Sequence, residues 1–196
     1  MVYERIIADL KASPEINENR IAAQLQLQRE LGLRKEEAFK FDPGRAVMRD
    51  GTVFVQHGTK GGRERIIHHV SASAREAIAY ARSVASGKNT IPNNMTEAQW
   101  ERQFYKTIRL HGLSHNSCGA SSHGLRHAYA HARYEQITGF APRCKFDSRE
   151  SFCANAQATA GHEWWKADQD ARQIIKAELG HGPDRDDVMA QYLGSK

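Results

Sequence analysis

No apolar run in this sequence approaches the roughly 20 residues that a membrane-spanning helix needs. The N-terminus, MVYERIIADLKASPE, lacks the basic-then-apolar pattern of a secretory signal. Cysteine is scarce and odd in number: Cys118, Cys144 and Cys153 exclude a fully paired disulfide framework, and no C-x-x-C pair offers a redox or zinc motif. Cys144, Cys153 and His162 match no common zinc-ligand spacing. Reduced, structural thiols in a cytosolic protein are the expectation. Internal repeats and low-complexity tracts are also missing.

A chain of 196 residues fits one domain, or one domain with an appendage, and 40% hydrophobic residues are enough to build its core. Charged residues make up 26% and the net charge is +5. A basic balance suits a polyanionic partner, because each phosphate neutralised releases condensed counterions. Charge alone does not single out nucleic acid. The ten histidines matter more for where they stand than for how many they are.

Helix formers over 17–31, NENRIAAQLQLQREL, place Ile21, Ala22 and Leu25 on one face, and Gly32 ends the run. TVFVQHGTKGGRERIIHHV (52–70) alternates apolar and polar around a glycine-rich centre, the pattern of a β-hairpin. Ser71 or Ser73 caps a helix over roughly 74–86 that Gly87 terminates. After a loop at 89–96, Thr96 and Gln99 form a capping box for a helix reaching about Leu110. SHNSCGASS (114–122) is a loop, and Ser122 caps the helix HGLRHAYAHARYEQ. Residues 139–152 are irregular. Helices over roughly 163–179 and 185–193, with HGPD (181–184) between them, complete an α+β chain that is mostly helical with one small antiparallel sheet.

Ser122-His123-Gly124-Leu125-Arg126-His127 holds the most chemistry. Residues three apart on a helix share a face, so His123 and Arg126 point at one ligand. A guanidinium grips two phosphate oxygens, while an imidazole exchanges a proton with the reacting oxygen. H-x-x-R is common by chance, but other segments accompany it. Gly32-Leu33-Arg34-Lys35-Glu36-Glu37 sets an arginine just past a helix end with a carboxylate three residues on. Gly58-Thr59-Lys60-Gly61-Gly62 puts a lysine at a hairpin tip. Leu179-Gly180-His181 adds a histidine after a helix, and Tyr192 follows near the end of the sequence. Each alone also fits a surface arginine, a turn lysine, a helix-terminal histidine or a packed tyrosine.

Together and in this order, these segments resemble the boxes of the tyrosine recombinase (phage integrase) family: G-L-R-x-x-E, a hairpin lysine, H-x-L-R-H, L-G-H and a tyrosine shortly after. The resemblance runs from about residue 20 onward and implies the tyrosine recombinase catalytic fold over 1–196. Two spacings depart from the family. The interval from Arg126 to His181 is roughly twice the usual length, which marks 138–165 as a family-atypical insertion. The interval from His181 to Tyr192 is slightly long, a difference that Gly182-Pro183-Asp184 absorbs. Too little chain precedes Arg34 for the family's N-terminal core-binding domain, which is expected to be absent from this chain.

The resemblance implies that Tyr192 attacks a DNA phosphate and forms a 3′-phosphotyrosyl bond. Arg34 and Arg126 hold the non-bridging oxygens, with a hydrogen bond from His181. Lys60 protonates the leaving oxygen, His123 serves in acid–base transfer, and Glu37 orients Arg34. No cofactor or metal is implied. The implied partner is double-stranded DNA, bound by a homotetramer of the full-length protein on synapsed duplexes with accessory DNA-bending proteins. The implied setting is the nucleoid of a bacterium or a phage or other mobile element, in the cytoplasm, without membrane association.

Other classes remain in view. One is a catalytically inactive integrase-like DNA-binding protein, and a closer one is a type IB topoisomerase, whose chemistry is the same; the box contexts favour a recombinase. A metal enzyme would need a histidine pair. His68 and His69 are adjacent on a strand and point to opposite faces. His127 and His131 share a helix face but have no H-E-x-x-H glutamate.

Overall fold

The structure is a computed structural model that describes residues 2–114, 121–182 and 184–195. Cys118, most of the 114–122 loop, Pro183 of the 181–184 turn and the Lys60 side chain lie outside the described residues. The chain divides into two compact units, Met1–Arg126 and His127–Lys196.

The first unit begins with α1 (Val2–Ala12), α2 (Ile16–Leu31) and the short α3 (Lys35–Lys40). A hairpin follows, β1 (Val53–Val55) and β2 (Arg65–Ile67), with a 3₁₀ turn (Lys60–Gly62) at its tip. Then come α4 (Ala72–Val84), α5 (Glu97–Leu110) and the start of α6 (Ser122–Thr138), within which the division falls. The sequence predicts one buried stripe on α2, but both sides of it are buried. Ile21, Ala22 and Leu25 pack with Leu10, Trp100 and Phe104, whereas Ala23, Leu27 and Leu31 pack with the hairpin and α4. A helix packed on two sides is central to its unit, and its charged residues cluster toward the two ends. Two of its interior glutamines are hydrogen-bonded: Gln24 donates to Thr90 Oγ1 at 2.7 Å and accepts from Trp100 Nε1 at 3.2 Å, and Gln28 donates to the Gln24 carbonyl at 3.2 Å.

The antiparallel strands pair Val53 with Ile67, Phe54 with Ile66 and Val55 with Arg65. Strand side chains alternate faces, so Val53, Val55 and Ile67 turn inward, and Arg65 turns inward with them. Gly58 lies between strand and tip at φ 76°, and a Cβ there would sit 2.6 Å from the Glu36 carbonyl oxygen. Only glycine allows that approach, which presses the hairpin onto the first turn of α3.

The second unit holds the rest of α6, a 3₁₀ turn (Arg143–Lys145), α7 (Arg149–Ala160), α8 (Trp164–Glu178) and α9 (Asp186–Leu193). Its core is rich in aromatic rings. Phe140 meets Tyr134 edge-on with centroids 5.7 Å apart, and Phe152 meets Trp164 at 5.4 Å. Tyr134 Oη donates to Asp168 at 2.6 Å, and Arg172 closes the same carboxylate. Segment 138–165 contributes Phe140, Phe152 and Ala156 to this core, while most of its other residues are exposed.

The capping box at Thr96 and Gln99 forms, and α5 ends at Leu110. Other sequence expectations need correction. Ser71 caps α4, which runs Ala72–Val84 and stops as Ala85 turns extended, before Gly87. Ser121, not Ser122, offers its hydroxyl to the Gly124 amide at the start of α6. The last four residues of 139–152 enter α7, whose apolar spacing is too sparse to announce a helix. None of the described helices is long and apolar enough to cross a membrane.

If Phe152 is a core residue, Phe152→Ala should lower stability by about 3–5 kcal/mol. Trp165→Ala, at a residue 50% exposed, should change it by less than about 0.5 kcal/mol. Urea denaturation of both variants checks this; equal effects would remove segment 138–165 from the core.

Candidate active site

Gly32 ends α2 in the left-handed conformation at φ 61°, the C-terminal stop that glycine adopts without strain. The chain then turns through Leu33 and Arg34 into α3, whose first turn carries Glu37. The Glu37 side chain reaches back to accept the Arg34 amide at 2.7 Å and Arg34 Nη1 at 2.8 Å. The G-L-R-x-x-E spacing is thus a helix N-terminus whose carboxylate folds onto its own entry residue.

Glu37 is fully buried and serves more than Arg34. Arg65 comes in from the inward face of β2 and binds both carboxylate oxygens as a fork, at 2.7 Å each. Arg126, 1% exposed, brings Nη1 to 4.0 Å from the same carboxylate and donates to the Gly32 carbonyl. Burial alone would raise the Glu37 pKa. The hydrogen bonds and charge of Arg65, followed by those of Arg34, outweigh it and hold the group at about 2. One ionised carboxylate therefore stands among three guanidiniums.

Arg34 and Arg126 line a cavity of about 470 Å³ together with Tyr105, Ser122 and His123. His123, on the first turn of α6, is exposed at its mouth. Partial burial first, then the positive charges of Arg126 and Arg34, push its pKa below the ordinary 6.5. At neutral pH the ring is uncharged and ready to accept a proton, beside two cations suited to an anion's oxygens. Lys60 begins the 3₁₀ turn at the hairpin tip.

The second unit organises Tyr192 and His181. Tyr192 lies on α9 and is 5% exposed. Its ring centroid is 4.3 Å from that of His127 and 6.0 Å from that of His181. The Tyr192 carbonyl can only accept, so His131 Nε2, at 2.7 Å, carries the proton. Arg172 Nη1 donates to the Gly194 carbonyl at 2.9 Å, and Lys176 pairs with Asp186 at 2.8 Å, which ties down both ends of α9.

A family model described as Integrase matches residues 2–132, more than half of the chain. This chain belongs to the integrase family. It carries a tyrosine-recombinase-like domain, and the family's general role is DNA integration or recombination. The match includes Arg34, Lys60, His123 and Arg126 and stops short of His181 and Tyr192. No curated protein and no solved structure matches the chain.

Within this integrase the structure gathers Arg34, Glu37, His123 and Arg126 in the first unit, and His181 with Tyr192 in the second. Sequence reasoning missed Arg65, although the hairpin's alternation, continued one residue before Ile66, marks it as inward. It also missed Tyr105 in the cavity wall and the stacking of His127 on Tyr192.

Replacing Arg34 by glutamine removes one of the charges acting on His123. The imidazole midpoint, followed by NMR titration, should lie below 6.5 in the unmodified protein and rise toward it in Arg34→Gln, without reaching it while Arg126 and burial remain. A midpoint at or above 6.5 before substitution would contradict the neutral histidine.

Proposed function

We propose that this integrase is a site-specific recombinase with the tyrosine recombinase catalytic fold. It cleaves and rejoins double-stranded DNA through a 3′-phosphotyrosyl bond to Tyr192. The observation that carries the reading is the cavity of the first unit, where two guanidiniums and an uncharged histidine meet around a buried carboxylate. Membership of an integrase family makes a DNA phosphodiester the natural anion for it.

In this reading Arg34 and Arg126 take the two non-bridging oxygens of the scissile phosphate. Their charge grows in value as the transition state gains a second negative charge. The Tyr192 oxygen attacks phosphorus in line with the 5′ oxygen. A free phenol titrates near ~10, so it needs a base at neutral pH, and His123 accepts its proton. The bond from phosphorus to the 5′ oxygen breaks, Lys60 supplies the proton to that oxygen, and His181 donates to a non-bridging oxygen. The phosphotyrosyl ester conserves the energy of the broken bond, so a 5′ hydroxyl re-attacks without a nucleotide cofactor. Four protomers on two duplexes carry out the exchange.

The direct test is adduct formation with a pool of nicked duplexes of random sequence, resolved by denaturing electrophoresis. The unmodified chain should retain covalently attached DNA, and Tyr192→Phe should retain none while still binding duplex. DNA attached to the Phe variant would remove Tyr192 from its role. A second test addresses Lys60. Lys60→Ala should slow cleavage by about 10²–10³, the scale of losing one well-placed catalytic group. It should recover on a substrate whose leaving group is a 5′ thiolate, which departs without a proton. No recovery would exclude Lys60 as the acid.

A further inference from the structure

We propose that Arg65 is a positioning residue for the phosphate site: by occupying Glu37 from the side away from the cavity, it leaves the guanidiniums of Arg34 and Arg126 directed at the anion. The inference rests on the reading of the cavity as a phosphate site, and it assigns a role to a residue that makes no contact with the phosphate.

The geometry separates the three arginines. Arg34 and Arg126 are part of the described cavity lining, and Arg65 is not. Arg65 sits on the inward face of β2, opposite Val55 and on the same face as Ile67, where a buried charge demands pairing, and Glu37 supplies it. Its planar fork matches the carboxylate and takes both oxygens at 2.7 Å, whereas Arg34 reaches one of them with a single nitrogen and Arg126 stays 4.0 Å away. Without Arg65, a buried carboxylate would recruit the nearest remaining cations. Those are the two guanidiniums that face the cavity.

Charge accounting gives the same answer. Three guanidiniums against one carboxylate leave two positive charges at the site. A phosphodiester carries one negative charge, and the pentacoordinate transition state of its cleavage carries two. Arg65 brings the protein's charge level with that of the transition state. Removal of Arg65 alone leaves one positive charge, and removal of the Glu37 charge as well restores two. A merely structural Arg65 would change stability, which the second substitution also relieves, but would leave the phosphate affinity of the folded protein unchanged.

The test uses the full chain and inorganic phosphate as probe, with affinity measured by calorimetry. Arg65→Gln should bind phosphate at least ~10-fold more weakly than the unmodified protein, the effect of one lost charge about 10 Å from the anion at an effective dielectric of ~20. Adding Glu37→Gln to Arg65→Gln should restore affinity to within about threefold. Arg65→Lys keeps the charge without the fork and should fall between. Arg65→Gln leaves a buried carboxylate short of its partner and is the variant at risk of not folding. The double variant buries no such charge and should fold and bind phosphate. Affinity unchanged in Arg65→Gln, a double variant that folds but binds no better than Arg65→Gln or not at all, or no phosphate binding by the unmodified chain would each overturn the role of Arg65. Intact phosphate coupling in a protein that forms no DNA adduct would leave Arg65 in place and overturn the phosphotyrosyl reading instead.

Discussion

Burying a carboxylate without a partner is among the costliest things a fold does, and Glu37 is fully buried. What makes it tolerable is the set of donors converging on it. They come from three parts of the chain: Arg34 from the turn after α2, Arg65 from β2 and, at longer range, Arg126 from α6. The ion cluster therefore acts as a spatial constraint. For the donors to reach one carboxylate, α2 must stop at Gly32, the hairpin must lie on α3 through Gly58, and α6 must present Arg126 inward. The same convergence that satisfies Glu37 leaves cations around a cavity, and anion chemistry follows from the packing.

The second unit applies the same economy to Tyr192. Its backbone carbonyl is held by His131, the following Gly194 carbonyl by Arg172, and its ring rests on His127. A tyrosine in an aromatic and histidine setting has its rotamer limited, which, in the proposed role of nucleophile, would lower the entropy lost in reaching an attack geometry. The apolar packing of Phe140, Phe152 and Trp164 supplies the rigidity behind that arrangement.

How much of this was legible beforehand depends on whether the interaction is local. Arg34 and Glu37 are three residues apart and meet across one helix start, so their sequence spacing already contains their geometry. His123 and Arg126 share a helix face for the same reason. The hairpin is readable because alternation has a period of two. Arg65 was not readable as a partner of Glu37, because 28 residues separate them and no local spacing joins an inward strand position to a helix start. Helix α7 was missed because Phe152 and Ala156 are its only buried residues, too few to create a period. Helix α1 carries its own signal, with Ile6, Ile7 and Leu10 at helical spacing and buried.

The charged cavity depends on Glu37 staying ionised inside the protein. A carboxylate whose pKa is lowered on folding stabilises the native state above its unfolded value, and that stability drains away as pH falls through the folded value. The most direct measurement is a carbon-13 NMR titration of the Glu37 side-chain carboxyl in the intact chain. The arginine cluster predicts a midpoint near about 2, with no titration across the ordinary glutamate range around 4.5. A midpoint at or above 4.5 would mean that burial, not the guanidiniums, governs the group, and the charged cavity built on it would not exist.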